Sequence, residues 1–383
     1  MEKNRLNWIT GLKGLAAMLV FVHHFFLFFY PAFCNGDVGS SKTYMGIEIL
    51  IAKTPLNILG WGGNFAVSLF FLISGFLIAY VYYVKNNRTT NIRSFFKRFF
   101  KLMFPVLFTS IIIFFVVKSG AFRSEELLNN YSKIGLNNYY NNIEINFFKI
   151  IKESIFDVFI FQSLSINPPM WTMKAELIYS IILMLFLKVF GNDKNRKFAY
   201  IFLILFNFNN YFFPFIVGCL LCDIFYNKAV ILEKINRWDL KIFILILGLY
   251  FASFSYIAIN TKFYSLLKLD INGLDLNVVY HNIGAAFIML FILLSKNIKK
   301  ILAIKPFVKL GEMSFCIYAF HWVIINSLSM FIVYKINCYT KYYIASIISL
   351  ILTTFVVIIV SRYFNNFLNK LNTYLTNKIT DKL

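Results

Sequence analysis

Charge is scarce in this chain. Only 14% of its 383 residues are charged, and the acids (17) are far fewer than the bases (38). Soluble domains carry about 25% charged residues, so a soluble enzyme of one or two domains is excluded. Cysteine is rare as well. The five present are an odd number without a paired extracellular pattern, which excludes a disulfide framework. No internal repeat is visible, which counts against an inverted-repeat transporter. No linker is rich enough in apolar residues to build a domain of its own. The longest, 118–155, is rich in Asn and Tyr and has no domain-sized core, so any chemistry is expected between the apolar segments. The first apolar run has no small-residue cleavage site after it and is interrupted by Lys13. It reads as a retained helix, not a signal peptide.

What the chain has is grease: 59% hydrophobic and 20% aromatic residues. Disordered chains are poor in both. A helix needs about 20 apolar residues to cross a bilayer. Runs of this kind fall at 8–30, 62–84, 102–117, 171–190, 198–209, 210–226, 240–260, 278–295, 313–335 and 343–361. The expected fold is all-α, a polytopic membrane bundle of about ten transmembrane helices. Within it, 198–226 is expected to form two short helices joined by an outer turn at Asn207, Asn209 and Asn210. With that parity, loops on one side hold 24 Lys and Arg, loops on the other hold 11, and 3 lie in spans. The bias places both termini in the cytoplasm, with a short cytoplasmic tail at 362–383. The basic excess is then a topology signal, and nucleic acid is not expected as a partner.

Ionisable groups inside a span are costly and mark functional positions. They are Lys13, His23, His24, Lys174, Glu176, Lys188, Asp223, His281, Glu312 and His321. Lys13 and His24 are separated by about 1100° of helix, so they share a face roughly 16 Å apart along the axis. They read either as a snorkelling lysine with a satisfied histidine or as a functional pair. Pro168 and Pro169 suit the first turn of a helix, which sets Glu176 roughly 10 Å in from the outer end, at the depth of His24. A carboxylate beside an imidazole makes a general-base pair; an ion pair with Lys174 is the alternative. Ser314, Tyr318 and His321 share one helical face. That face is either a polar seam between helices or the lining of the cavity that Lys13 and His24 face. Cys219 and Cys222 have CxxC spacing without further ligands and read as packing, since zinc needs about four ligands. Gly75 reads as a point of close helix approach.

Five segments, in order, resemble acyltransferase family 3, integral-membrane enzymes that acylate sugars and other acceptors. They are Gly11-Leu12-Lys13-Gly14 running to His24-Phe25; Gly63 to Ile78 with Phe71-Leu72-Ile73-Ser74-Gly75-Phe76; the basic Phe95 to Lys101 with Pro105; Pro169-Met170-Trp171 to Glu176 and Tyr179; and Leu310-Gly311-Glu312 to His321-Trp322. Lys13 stands where the family usually has Arg, which keeps the charge and loses the bidentate fork. Lys174 adds a charge beside Glu176 that the family motif usually lacks.

The resemblance implies one acyltransferase domain over 1–383 without an extracellular esterase-like domain. It implies acyl transfer from cytoplasmic acyl-CoA, acetyl-CoA foremost, to a hydroxyl of a surface or lipid-linked carbohydrate at the plasma membrane. His24 is then the base supported by Glu176, with an acyl-His intermediate as the other route. Lys13, Arg98 and Lys101 are expected to hold the CoA phosphates, and Tyr318 and His321 to line the thioester channel or its oxyanion site. Trp171 and Trp61, with Tyr139 and Tyr140, would stack on sugar rings or form the interfacial aromatic belt. No metal is expected, and homo-oligomerisation is left open. The rival is a transporter or flippase for a polysaccharide precursor or a small anion, independent of acyl-CoA.

Overall fold

The computed structural model describes residues 6–36, 46–55, 57–85, 92–121, 146–163 and 165–380. Within them every regular element is helical. The main helices are α1 (Asn7–Phe29), α2 (Ile58–Tyr83), α3 (Ile92–Lys118), α4 (Thr172–Phe190), α5 (Arg196–Asn207), α6 (Phe212–Asn227), α7 (Trp238–Ala252), α8 (Leu276–Leu294), α9 (Ser314–Ile324) and α10 (Tyr342–Thr380). A π-helical turn, Ile325–Ser329, carries α9 on into Met330–Asn337.

Six helices among the described residues are long and apolar enough to cross a membrane. They are α1, α2, α3, α8, α9 with its extension, and α10. The other apolar runs also fold as helices, but α5, α6 and α7 have 12, 16 and 15 residues, short of the usual length for a span. In α4 the charges Lys174, Glu176 and Lys188 interrupt the apolar run. The expected turn inside 198–226 is present. Asn210 donates its backbone N–H to Asn207 O at 3.1 Å, and its side chain accepts from Phe212 N at 2.8 Å. Helix α10 runs on past the apolar run at 343–361 into the tail segment, to Thr380, because no Gly or Pro between Ser361 and Thr380 stops it.

Exposed apolar stripes mark surfaces suited to lipid. On α5, Phe198, Ile201, Phe202, Leu205 and Phe206 recur at helical spacing and are all exposed, while Tyr200 on the other side is buried. On α10, Ile347, Ile351, Leu352, Phe355 and Ile359 repeat the pattern.

The chain packs as two compact units, residues 1–19, 53–95 and 175–311, and residues 20–52, 96–174 and 312–383. In the first, α2 and α6 meet backbone to backbone. A Cβ on Gly75 would lie 2.0 Å from Phe215 O, and one on Gly218 would lie 2.0 Å from Leu72 O. Helices in lipid gain little from apolar contact alone, so small residues at such crossings carry the association. The start of α1 is held in the same way: a Cβ on Gly11 would lie 1.9 Å from Leu302 O, and one on Gly311 would lie 1.7 Å from Thr10 O. This gives the Gly11-Leu12-Lys13-Gly14 segment a packing role.

Asp223 is explained within this unit. Arg196 donates to it through Nε (2.7 Å) and NH2 (2.8 Å), and Asn227 Nδ2 donates at 2.7 Å. It is a structural ion pair between α5 and α6. Asp223→Asn should cost about 2 kcal/mol, the value of hydrogen bonds to a charged group, read as a lower midpoint of thermal unfolding in detergent. His281 is likewise structural, its Nε2 donating to Phe254 O at 3.1 Å.

In the second unit, hydroxyls connect the helices. Ser329 and Thr353 pair at 2.8 Å, Ser349 donates to Ser329 O at 3.0 Å, and Tyr342 donates to Phe29 O at 2.9 Å. Tyr30 pairs with Ser346. Pro105 interrupts the ladder of α3. Thr109 Oγ1 donates to Pro105 O at 2.7 Å and to Val106 O at 3.0 Å, the back-bond to i−4 and i−3 carbonyls common for threonine inside a helix.

Candidate active site

α1 continues past Val20 into the second unit, where it presents His24. His24 is partly buried; His321 on α9 is fully buried. His24 Nδ1 lies 3.0 Å from His321 Nε2 and 3.0 Å from Val20 O. His321 Nδ1 lies 2.6 Å from Tyr318 O and 3.3 Å from Ile317 O. A carbonyl oxygen only accepts, so the proton of a neutral His321 is on Nδ1 and its Nε2 carries a lone pair. The His24 Nδ1–H then donates, shared between Val20 O and His321 Nε2. That leaves the lone pair of His24 on Nε2, to which no described residue is hydrogen-bonded. Trp322 and His23 meet the His24 ring edge-on, with centroids 5.5 and 5.0 Å away.

Below this pair α9 is pinned to the turn that opens α4. Pro168–Trp171 is a 3-10 turn. The Tyr318 hydroxyl donates to Pro169 O and pairs with Thr172 Oγ1 at 3.0 Å. Asn167 Nδ2 donates to Ala319 O at 3.2 Å. Glu153 fixes the approach to this turn, accepting from Ser165 N at 3.0 Å and Ser165 Oγ at 2.7 Å. The proton of Tyr318 is therefore spent on backbone. Tyr318→Phe should cost about 1–2 kcal/mol, measured as thermal stability of the purified protein.

Glu176 belongs to the first unit. Its Oε1 accepts from Ser74 Oγ at 2.6 Å, which brings together two of the segments singled out in the sequence. Lys13 is partly buried on α1. By helical rotation it lies about 100° from Gly14 and 200° from Gly11, off the face packed against Leu302 and Gly311. Arg98 is partly buried and Lys101 exposed, three residues apart on one face of α3. Trp171 is partly buried in the 3-10 turn. The side chain of Trp61 lies outside the described set, as do Tyr139 and Tyr140 entirely. Cys219 Sγ faces the Tyr200 hydroxyl at 3.3 Å. Among the described residues no group of three or more His, Cys, Asp or Glu is placed to hold a metal.

Two contacts were not read from sequence. One is His321 against His24, although both residues were flagged. The other is Ser74 under Glu176, whose signal was a hydroxyl inside an otherwise apolar run beside Gly75.

A family model described as an acyltransferase domain matches residues 6–365. No curated protein and no solved structure matches the chain.

Proposed function

Because the chain belongs to acyltransferase family 3, and is thereby a membrane acyltransferase, we propose that it moves an acyl group, acetyl foremost, from cytoplasmic acyl-CoA to a hydroxyl of a surface or lipid-linked carbohydrate. The observation that carries the chemistry is His24: a ring anchored through Nδ1, with its basic Nε2 left for a reactant. In the reaction, His24 Nε2 takes the proton of the acceptor hydroxyl as its oxygen bonds to the thioester carbonyl carbon. The tetrahedral intermediate collapses, the C–S bond breaks, and the leaving sulfur takes the proton back from Nε2–H. The ester and free thiol are the products, and the histidine returns to its starting state.

Glu176 is retained as a catalytic residue on its motif, with its carboxylate accepting a hydrogen bond from Ser74 Oγ. Arg98 and Lys101 are the proposed seat of the donor phosphates, supported by their shared face and charge. Lys13 is retained as a donor-binding residue on its motif, and Trp171 and Trp61 as sugar-stacking groups. Tyr318 is better suited to holding the Pro168–Trp171 turn than to donating to an oxyanion. The ten-span topology with cytoplasmic termini rests on the 24-to-11 bias of basic loops. On that orientation the basic segment that carries Arg98 and Lys101 faces the cytoplasm, which supports a cytoplasmic donor.

The test uses purified protein in sealed vesicles of both orientations with acetyl-CoA and a carbohydrate acceptor. Thiol release is expected only when acetyl-CoA meets the cytoplasmic face. Acceptor movement without thiol release, for every acyl-CoA tried, would support the transporter instead.

A further inference from the structure

Within that reading, which it presupposes, we infer that His321 is a positioning residue that fixes the tautomer of His24. Neutral histidine in water favours the proton on Nε2, and such a ring would present a donor, not a base, to an incoming hydroxyl. Which nitrogen carries the proton is set by what the other nitrogen meets. Here both neighbours of His24 Nδ1, Val20 O and His321 Nε2, are acceptors. They hold the proton on Nδ1 and leave the lone pair on Nε2. His321 can accept only because its own proton is committed to Tyr318 O at 2.6 Å. Its ring is fully buried, so water does not compete for Nε2.

The pair does the work that a carboxylate does behind a catalytic histidine, with one physical difference. A buried carboxylate costs several kcal/mol to desolvate, whereas a neutral imidazole adds no charge to the apolar interior. When His24 takes a proton on Nε2, its Nδ1–H···Nε2 bond to His321 becomes charge-assisted and shortens. The π turn at Ile325–Ser329 follows His321 by one turn of helix. Such π turns often accompany functional sites.

The experiment compares full-length wild type with His24→Ala, His321→Leu and His321→Gln in vesicles. It measures kcat and KM for acetyl-CoA, with thermal unfolding of each variant alongside. His321→Leu should lower kcat by more than about 10-fold and by up to about 10⁴-fold, the cost of a general-base histidine held in the wrong tautomer, with KM unchanged. His321→Gln offers an amide oxygen near the position of Nε2 and should recover most of that loss. In 15N spectra of histidine-labelled protein, the wild type should show His24 with a protonated Nδ1, and His321→Leu should show the proton shifted toward Nε2. Equal losses for Leu and Gln, or a wild-type kcat in His321→Leu with His24→Ala inactive, would overturn this inference and leave the catalytic role of His24 standing. An active His24→Ala would instead remove the reading on which it rests. An unfolded His321→Leu leaves the Gln variant and the wild-type tautomer as the deciding observations; a wild-type proton on His24 Nε2 would overturn the inference.

Discussion

His24→Ala is expected to lower acyl transfer about 10²- to 10⁴-fold, the range that a positioned general base contributes, with the protein still inserted and folded. The fold should survive because His24 is only partly buried and its ring contributes no ion pair. The change removes the donor to Val20 O and leaves the buried His321 Nε2 without its donor, a loss of about 1–3 kcal/mol. Val20 O keeps its place in the α1 ladder. The loss should fall on kcat, because the proton is transferred in the chemical step and the donor phosphates are held elsewhere. A variant that raises KM for acetyl-CoA at unchanged kcat would place His24 in binding instead. Thiol release and thermal unfolding on one preparation separate these outcomes.

Gly75→Leu is expected to prevent assembly of the first unit, at a cost above about 4 kcal/mol, the range reserved for steric disasters and broken networks. The obstruction is backbone. Phe215 O would lie 2.0 Å from the new Cβ, and on the opposite helix Leu72 O would lie as close to a Cβ on Gly218. A side chain in the way can change rotamer; a helical carbonyl moves only with its helix. Shifting α6 from α2 would also separate the Phe71 and Phe215 rings, now stacked at 5.2 Å. Even Gly75→Ala should be harmful. Gly120 is the control. It has a positive φ of 70° but open space around its Cβ position, so Gly120→Ala should cost only about 1 kcal/mol. Size-exclusion profiles in detergent should show a monodisperse Gly120→Ala and an aggregated Gly75→Leu.

The features legible in the sequence are those that depend on neighbours along the chain. The apolar runs mark the helices, Pro168 and Pro169 mark the turn into α4, and the Asn cluster at 207–210 divides α5 from α6. Gly75 was legible as a close approach because an unbranched backbone inside an apolar run has few other uses, but its partner Gly218 was not. Helical spacing grouped Tyr318 with His321 on one face, yet their roles diverge. One proton goes to Pro169 O, the other to Tyr318 O so that Nε2 can meet His24. That contact joins residues 297 positions apart, and no local period encodes it. Asp223 was flagged as a costly intramembrane charge, but its partner Arg196 was counted among loop cations. Helix α5 starts at that residue and swings the guanidinium onto the carboxylate. Span length was the weakest sequence signal, because helices α5 to α7 are apolar but short.

The most direct measurement is the acyl balance of the purified protein: labelled acetyl-CoA consumed, thiol released and labelled ester formed on a carbohydrate acceptor, for wild type and His24→Ala side by side. The expected result is one ester per thiol for wild type, with both products lost in a folded His24→Ala. Equal ester formation by the two proteins would contradict the assignment of His24 as the base.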